Sequence, residues 1–399
     1  MSLSMLVTAT VADAEPHRIA LLVGANQGNG YELRLRYAEE EARRLSETLR
    51  LVGGFEAADI VVLEHPDADE LRRTMATLRA RIAASTDETL LFVFYSGHAD
   101  AEGLHLSGDR FALDELRDTV AAIPASARVL IVDACRSGSL TRVKGGRPGP
   151  SFDVRMNAPI GARGFAILTS SAAGEDAQES DDVGSSLFTH YLNSALMGAG
   201  DSNSDGTVTI EEAFAYASER TIVAASATMA GPQHPTFRYE LGGRGGLVLT
   251  RPGHLSRQFG LVQFPESGWY LVQRPDGPVV AELRATRAGQ TLALEAGHYR
   301  LTKRLREQYL EGDVDVTAGA VAQLSTRQLQ RYPYPHGVRK GALALDLAAD
   351  EKPSAGRPLL RRWWFWTAAF TGAAVVAGAI ALGVVESQPR ETSFQLHQP

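Results

Sequence analysis

The chain carries a single cysteine, Cys135, among its 399 residues. A lone thiol excludes an internal disulfide framework and any zinc or iron–sulfur site built on two thiolates. Positive charge is also short: 40 Lys and Arg stand against 47 Asp and Glu, for a net charge of -7. Phosphate binding needs clustered positive surface, so nucleic acid is excluded as the main partner and a basic target suits the chain better. There is no internal repeat, and 44% hydrophobic with 22% charged residues describes a globular chain rather than a disordered one. Long apolar runs are nearly absent, with one exception close to the C-terminus.

The chain is longer than one domain usually runs, and its charge divides it. Residues 1–250 hold 22 Lys and Arg against 34 Asp and Glu, whereas residues 251–362 hold 17 against 11. Two domains with different surfaces are expected. Residues 1–17 open with a short apolar stretch ending in Ala12-Asp13-Ala14, which reads either as a truncated secretory signal or as an ordinary N-terminus. From Arg18 to Thr250 strand and helix patterns alternate. RIALLVGAN (18–26), DIVVLE (59–64), ETLLFVFYSGH (88–98), ARVLIVDACRSG (127–138), GFAILTSS (164–171) and GLVLT (246–250) read as buried strands. Helical spacing runs from Leu35 to Leu49, then through 69–85, 186–196 and 210–226. Continuous apolar strands with helices between them predict a mainly parallel α/β sheet flanked by helices, with function at the carboxyl ends of its strands. Residues 139–163 interrupt this with a Gly-, Pro- and Arg-containing loop.

Residues 252–332 carry short segments between turn residues and predict a small all-β antiparallel sandwich. A linker (333–362), an uncharged stretch (363–385) and a short tail (386–399) follow. As a helix that stretch would rise roughly 34 Å, enough to cross a bilayer. Trp363, Trp364 and Trp366 sit where interfacial aromatics belong, so a C-terminal transmembrane helix is expected. Ala374, Gly378, Ala379 and Gly383 provide small-residue spacing through which two spans can self-associate. Arg357, Arg361 and Arg362 favour a cytoplasmic tail-anchored arrangement, and a genuine N-terminal signal would place the rest of the chain outside.

The chemistry collects at two strand ends, where His98 and Cys135 each lie in a glycine-containing turn. An imidazole in reach of a thiol takes its proton during attack on a carbonyl and returns one to the leaving amine. The bland alternative is a small core cysteine and a satisfied histidine. YSGH at 95–98 and DACRSG at 133–138, with a basic loop after them, resemble the caspase-like cysteine peptidases, particularly the metacaspase-type and bacterial members. The resemblance covers about residues 18–250 and implies the caspase–haemoglobinase fold, with His98 as general base and acid and Cys135 as nucleophile. It also implies an oxyanion hole from the amides of Cys135 and Ala99, the family commonly having Gly at the latter place. Asp133 stands where aspartate-cleaving caspases have glutamine, and Glu41-Ala42 matches an Asp-Ala pair of relatives, with Glu40 the alternative register. Two carboxylates in one pocket would favour Arg or Lys in the substrate. In relatives the segment after the nucleophile is often cut during maturation, and Arg142, Lys144 and Arg147 offer matching self-cleavage positions.

DSNSDGTVTIEE, residues 201–212, has calcium-loop spacing. Asp201, Asn203 and Asp205 occupy positions 1, 3 and 5, Gly206 position 6, Thr207 position 7 and Glu212 position 12. An acidic helix N-cap is the competing reading. The expected protein is thus a membrane-anchored cysteine endopeptidase that cuts after Arg or Lys and is calcium-activated and self-processed. Its competitors are a catalytically silent caspase-fold scaffold and a calcium-responsive membrane adaptor.

Overall fold

Apolar residues fill the central strands so completely that every residue of Thr89–Ala99 is buried. The computed structural model describes residues 15–100, 102–136, 164–172, 175–240, 246–254 and 257–334, apart from the side chains of 135, 136, 239 and 240. Residues 1–14, the loop bearing Arg142, Lys144 and Arg147, most of the linker and the expected span at 363–385 lie outside the described residues. Among the described residues no helix is long and apolar enough to cross a membrane.

The first part runs β1 (His17–Ala25), α1 (Ala38–Val52), β2 (Ile60–Glu64), α2 (Ala68–Ala83) and β3 (Thr89–Ala99). It continues through a hairpin of β4 (Gly103–Leu106) and β5 (Asp109–Ala112), then α3 (Leu113–Ala122), β6 (Ala127–Arg136) and β7 (Phe165–Thr169). After these come β8 (Glu179–Ser180), β9 (Ser185–Ser186), α4 (Leu187–Ser194), β10 (Val208–Thr209), α5 (Ile210–Ser226), β11 (Thr236–Glu240) and β12 (Val248–Thr250). The main sheet has the order β11-β7-β6-β3-β1-β2, parallel from β7 to β2, with β11 antiparallel on its edge. Ala42, Leu45 and Leu49 of α1 join α4 and α5 against one face, in contact with Leu22, Phe92 and Phe94. Leu71, Met75 and Leu78 of α2 and Leu116 and Val120 of α3 cover the other. The order reverses at β1, where β2 lies on one side and β3 on the other, and such a switch point opens a crevice at the strand ends.

Gly24 sets the height of α1. A Cβ there would lie 2.5 Å from the carbonyl oxygen of Ala38, so only glycine lets the first turn of the helix rest on β1. The Asn26 N–H donates to Glu39 Oε1 at 3.0 Å and pins that turn. Glu41 therefore faces inward while Glu40 stays on the surface against Arg43 and Arg44.

The second part is all β. A three-stranded sheet joins β13 (Phe259–Gln263), β16 (Thr291–Glu295) and β19 (Val321–Gln323). A five-stranded sheet joins β14 (Gly268–Gln273), β15 (Val279–Ala285), β17 (Gly297–Arg304), β18 (Gln308–Val316) and β20 (Gln330–Pro333). Leu292 and Leu294 of the smaller sheet pack with Tyr270, Val272 and Leu301 of the larger. The pairing is antiparallel apart from β13 with β19, which is parallel because β19 returns to that edge along a longer connection.

The two parts share buried polar chemistry. Glu282 of β15 is buried, accepts the Trp269 indole N–H at 3.1 Å, and lies 3.5 Å from His190 of α4 and 4.0 Å from Arg220 of α5. Burial acts to raise its pKa, but the hydrogen bond and charge of His190, with Arg304 and Arg220, hold it at about 2. The Tyr216 hydroxyl and the Ser194 side chain bond the backbone of the same residue. Replacing Glu282 by alanine would strand His190 and Arg220 in the interior. We expect a loss of about 3–5 kcal/mol in stability, read from urea unfolding by circular dichroism. The depressed pKa means this contribution is present above the ordinary carboxylate range and is lost as pH falls toward 2.

Candidate active site

β3 and β6 deliver the two chemistry-bearing residues together. They pair in parallel, with His98 the register partner of Cys135 and Ser96 that of Asp133. On its other side His98 is the register partner of His105 in β4. Gly97 makes room for this arrangement. A Cβ there would sit 2.4 Å from Tyr95 Oη, and the Tyr95 hydroxyl donates to the His98 carbonyl at 2.6 Å.

The His98 ring is buried, and its Nε2 lies 2.9 Å from the carbonyl oxygen of Leu33. A carbonyl only accepts, so Nε2 carries the hydrogen and the neutral tautomer leaves Nδ1 bare. Among the described side chains Nδ1 has no hydrogen-bond partner. Burial lowers the pKa of this imidazole, with the charge of Glu32 working against it, so at neutral pH it is a base ready to accept a proton. Ala99 continues the strand, opposite Arg136 and Leu104.

Glu41 and Asp133 converge although 92 positions separate them in the chain. Both are buried. Glu41 accepts from the Ser96 hydroxyl at 2.6 Å, the Ser185 hydroxyl at 2.9 Å and the Ser186 N–H at 2.5 Å. Asp133 accepts from the Thr189 hydroxyl at 2.5 Å and from the hydroxyl of Ser186, the residue that caps α4. Burial and then the charge of Asp133 push Glu41 up to about 7, and burial pushes Asp133 up as well. Among the described residues neither carboxylate has an ion-pair partner. A third acid, Glu179 of β8, accepts the backbone N–H groups of Arg36 and Tyr37 and is raised chiefly by burial.

Sequence reading missed Ser185, Ser186, Glu179 and Glu32. The Ser185-Ser186 pair carries a visible signal, an N-cap serine before an apolar run, but its second use as a carboxylate donor has none. Glu32 and His105, 73 positions apart, meet at 2.7 Å behind His98.

Asp201 to Thr207 form a tight turn that leads through β10 into α5. Gly206 is left-handed at φ +83°, and its N–H donates to Asp201 Oδ2 at 3.1 Å. Asp205 accepts from both the N–H and the hydroxyl of Thr207. Glu212 forms a capping box with Thr209 at the start of α5. Among the described residues Asp201 Oδ1 is buried without a hydrogen-bond partner, as is Glu211 Oε2. Among the described residues no three His, Cys, Asp or Glu side chains lie close enough to share a metal. A calcium ion here would draw on Asp201, Asn203, Asp205, Glu212 and the Thr207 carbonyl, a mixed oxygen set suited to that ion.

A mainly parallel, helix-covered sheet with His98 and Cys135 in register on adjacent strands defines the class of the fold as α/β. The caspase domain sequence profile matches residues 17–241, more than half of the chain, and the chain belongs to that family. Among solved structures it is similar to caspase-1 from Spodoptera frugiperda, at 15% identity over 60% of this chain and 92% of that one, with a TM-score of 0.44. The pro-form of the Spodoptera caspase-1 gives 16%, 59%, 94% and 0.41. A structural-genomics protein from Geobacter sulfurreducens gives 15%, 60%, 98% and 0.40. No curated protein matches.

Proposed function

We propose that the protein is a cysteine endopeptidase that cleaves peptide bonds after Arg or Lys. The observation that carries this is the register pairing of His98 with Cys135 at the ends of adjacent buried strands. His98, oriented through the Leu33 carbonyl, takes the thiol proton at Nδ1 as sulfur attacks the scissile carbonyl. The amides of Ala99 and Cys135 donate to the oxyanion. The proton then passes from His98 to the leaving amine, and water releases the acyl group from sulfur by the reverse route.

Glu41 and Asp133 receive the basic side chain of the substrate. Two buried carboxylates held by hydroxyls, with no counter-ion among the described residues, are the acidic half of an ion pair whose other half is a guanidinium or ammonium. In the same reading, calcium at Asp201, Asn203, Asp205, Thr207 and Glu212 orders the turn leading into α5, which is supported by the Asp201 oxygen that has no hydrogen-bond partner among the described residues. Cleavage within 139–163, at Arg142, Lys144 or Arg147, matures the chain, and residues 363–385 hold it at a membrane and pair with a second copy.

The purified full chain should release a fluorophore from an arginyl peptide, faster with calcium and slower with chelator, and should shorten on a gel where Cys135→Ala does not. Absence of any Cys135-dependent hydrolysis of basic peptides, with or without calcium, would overturn the reading.

A further inference from the structure

The loop between β1 and α1 brings a carboxylate to the back of the proposed base. The Glu32 side chain is only 1% exposed. Its Oε2 accepts the Asn29 N–H at 2.6 Å, and its Oε1 is 2.7 Å from His105 Nδ1 and 4.0 Å from His98 Nδ1. His105 Nε2 lies in turn 3.1 Å from Asp100 Oδ2, which Arg110 of β5 engages at 2.8 Å. Acid and base alternate from the interior to the surface: Glu32, His105, Asp100, Arg110. Gly28 closes the arrangement from above, since a Cβ there would lie 2.0 Å from Glu32 Oε2 and 2.8 Å from His98 Cδ2.

The charge states follow from these contacts. Burial works to raise Glu32, but the hydrogen bonds from His105 and Asn29 outweigh it and hold its carboxyl below the ordinary range. Burial works to lower His105, but Glu32 and Asp100 outweigh it and the ring is raised. Glu32 is therefore ionised beside a neutral His98. Among the described side chains, the other titratable group facing His98 is His105 on β4; on β6 the register partner of His98 is Cys135, followed by Arg136.

We propose that Glu32 is a positioning residue for His98, placed to stabilise the imidazolium that forms when the thiol proton moves to Nδ1. This rests on the reading of His98 and Cys135 as the reacting pair. Nε2–H is already committed to the Leu33 carbonyl, so Nδ1 is the atom that gains the proton, and it is the atom that Glu32 faces. A carboxylate fixed in a dry site before the charge appears acts without reorganising, and that is where electrostatic stabilisation is largest. His105 and Asn29 keep the carboxylate ionised and aimed. Once protonated, His98 is a stronger ion-pair partner of Glu32 than it was when neutral, so the interaction favours the transition state over the ground state.

Because Cys135 is the only cysteine, its alkylation by iodoacetamide in the full chain reports on the pair without any choice of substrate. The rate would be followed from about pH 4 to about pH 9 in wild type, Glu32→Gln, Glu32→Asp and His98→Ala, together with kcat and KM on an arginyl peptide. Glu32→Gln keeps the shape and removes the charge that favours protonated His98. Its acid limb should move down by about one pH unit, and kcat should fall roughly ten- to a hundredfold with KM unchanged. Glu32→Asp, which keeps the charge, should hold the wild-type limb. An acid limb unmoved in Glu32→Gln while His98→Ala abolishes it would overturn the proposal and leave the dyad standing. Identical profiles for wild type and His98→Ala would overturn the dyad and the proposal together.

Discussion

Cys135→Ala should abolish hydrolysis of an arginyl peptide, by at least about a thousandfold in kcat/KM, with circular dichroism and thermal midpoint close to wild type. His98→Ala should lose nearly as much, and the double variant little more than either. Nucleophile and base act as one unit, so removing either leaves only binding and oxyanion stabilisation. The reason lies in the sheet. β3 and β6 pair over ten consecutive positions from Leu90 with Ala127 to Ala99 with Arg136, so the register of His98 against Cys135 is set by the whole ladder. A loss confined to one of the two variants would mean the residues do not act together. Full activity in either would remove that residue from the chemistry.

Glu41→Gln and Asp133→Asn should each lower kcat/KM on arginyl peptides by about a hundredfold, since each leaves a buried guanidinium short of one ionic partner. Peptides with an uncharged residue at the cleaved position should be affected far less. The effect carries a pH signature. Glu41 is raised to about 7, so it is largely protonated at pH 6 and ionised at pH 8, and KM for an arginyl peptide should fall across that interval in wild type. In Glu41→Gln the dependence should flatten. Stability runs in the opposite direction. The folded state binds this proton more tightly than the unfolded chain does, so that contribution is full below the ordinary carboxyl pKa and is lost as pH rises through about 7. Above that pH the ionised pair is a net cost, and Glu41→Gln should melt higher than wild type there while losing the substrate preference. A functional carboxylate kept at the expense of stability is the pattern expected of a binding site. Thermal melts at pH 5 and pH 8, beside Michaelis curves at both, would separate the two effects.

Much of the α/β part is legible in the sequence because it is written in local periodicity. The strand at ARVLIVDACRSG and the helix at IEEAFAYASERTIVAAS need no distant partner to be read, and the structure has β6 at Ala127–Arg136 and α5 at Ile210–Ser226. The first helix is read from Leu35 but begins at Ala38, because the loop between β1 and α1 runs three residues further before the first turn meets Gly24. The β4–β5 hairpin escaped notice. Its strands have four residues each, and its turn rests on two left-handed residues, Ser107 and Gly108, a signal too short for a periodicity window. The helix Leu113–Ala122 that follows was hidden for the same reason, and β11 was missed because it is a five-residue edge strand after a turn-rich segment. In the second part the segments are visible but the parallel pairing of β13 with β19 is not, since register between distant short strands has no local trace.

The candidate site divides the same way. His98 and Cys135 are readable because each ends an apolar strand, and Glu41 through the family resemblance alone, with Glu40 as the alternative register. Glu32, His105 and Ser186 are not, because their roles arise from contacts between segments 53 to 145 positions apart. Nothing in the strings YELRLRY or GLHLSGD distinguishes a buried acid–base pair from two solvated polar residues. Burial decides it, and burial is a property of the packed loop.

The central claim is a Cys135-dependent peptidase with a pocket for basic side chains. It is tested most directly by kcat/KM of the purified full chain on two peptides that differ only in Arg or Asp at the cleaved position, run beside Cys135→Ala. The account predicts cleavage of the arginyl peptide by wild type, little or no cleavage of the aspartyl peptide, and none of either by the variant. Preference for the aspartyl peptide, or equal turnover by Cys135→Ala, would contradict it.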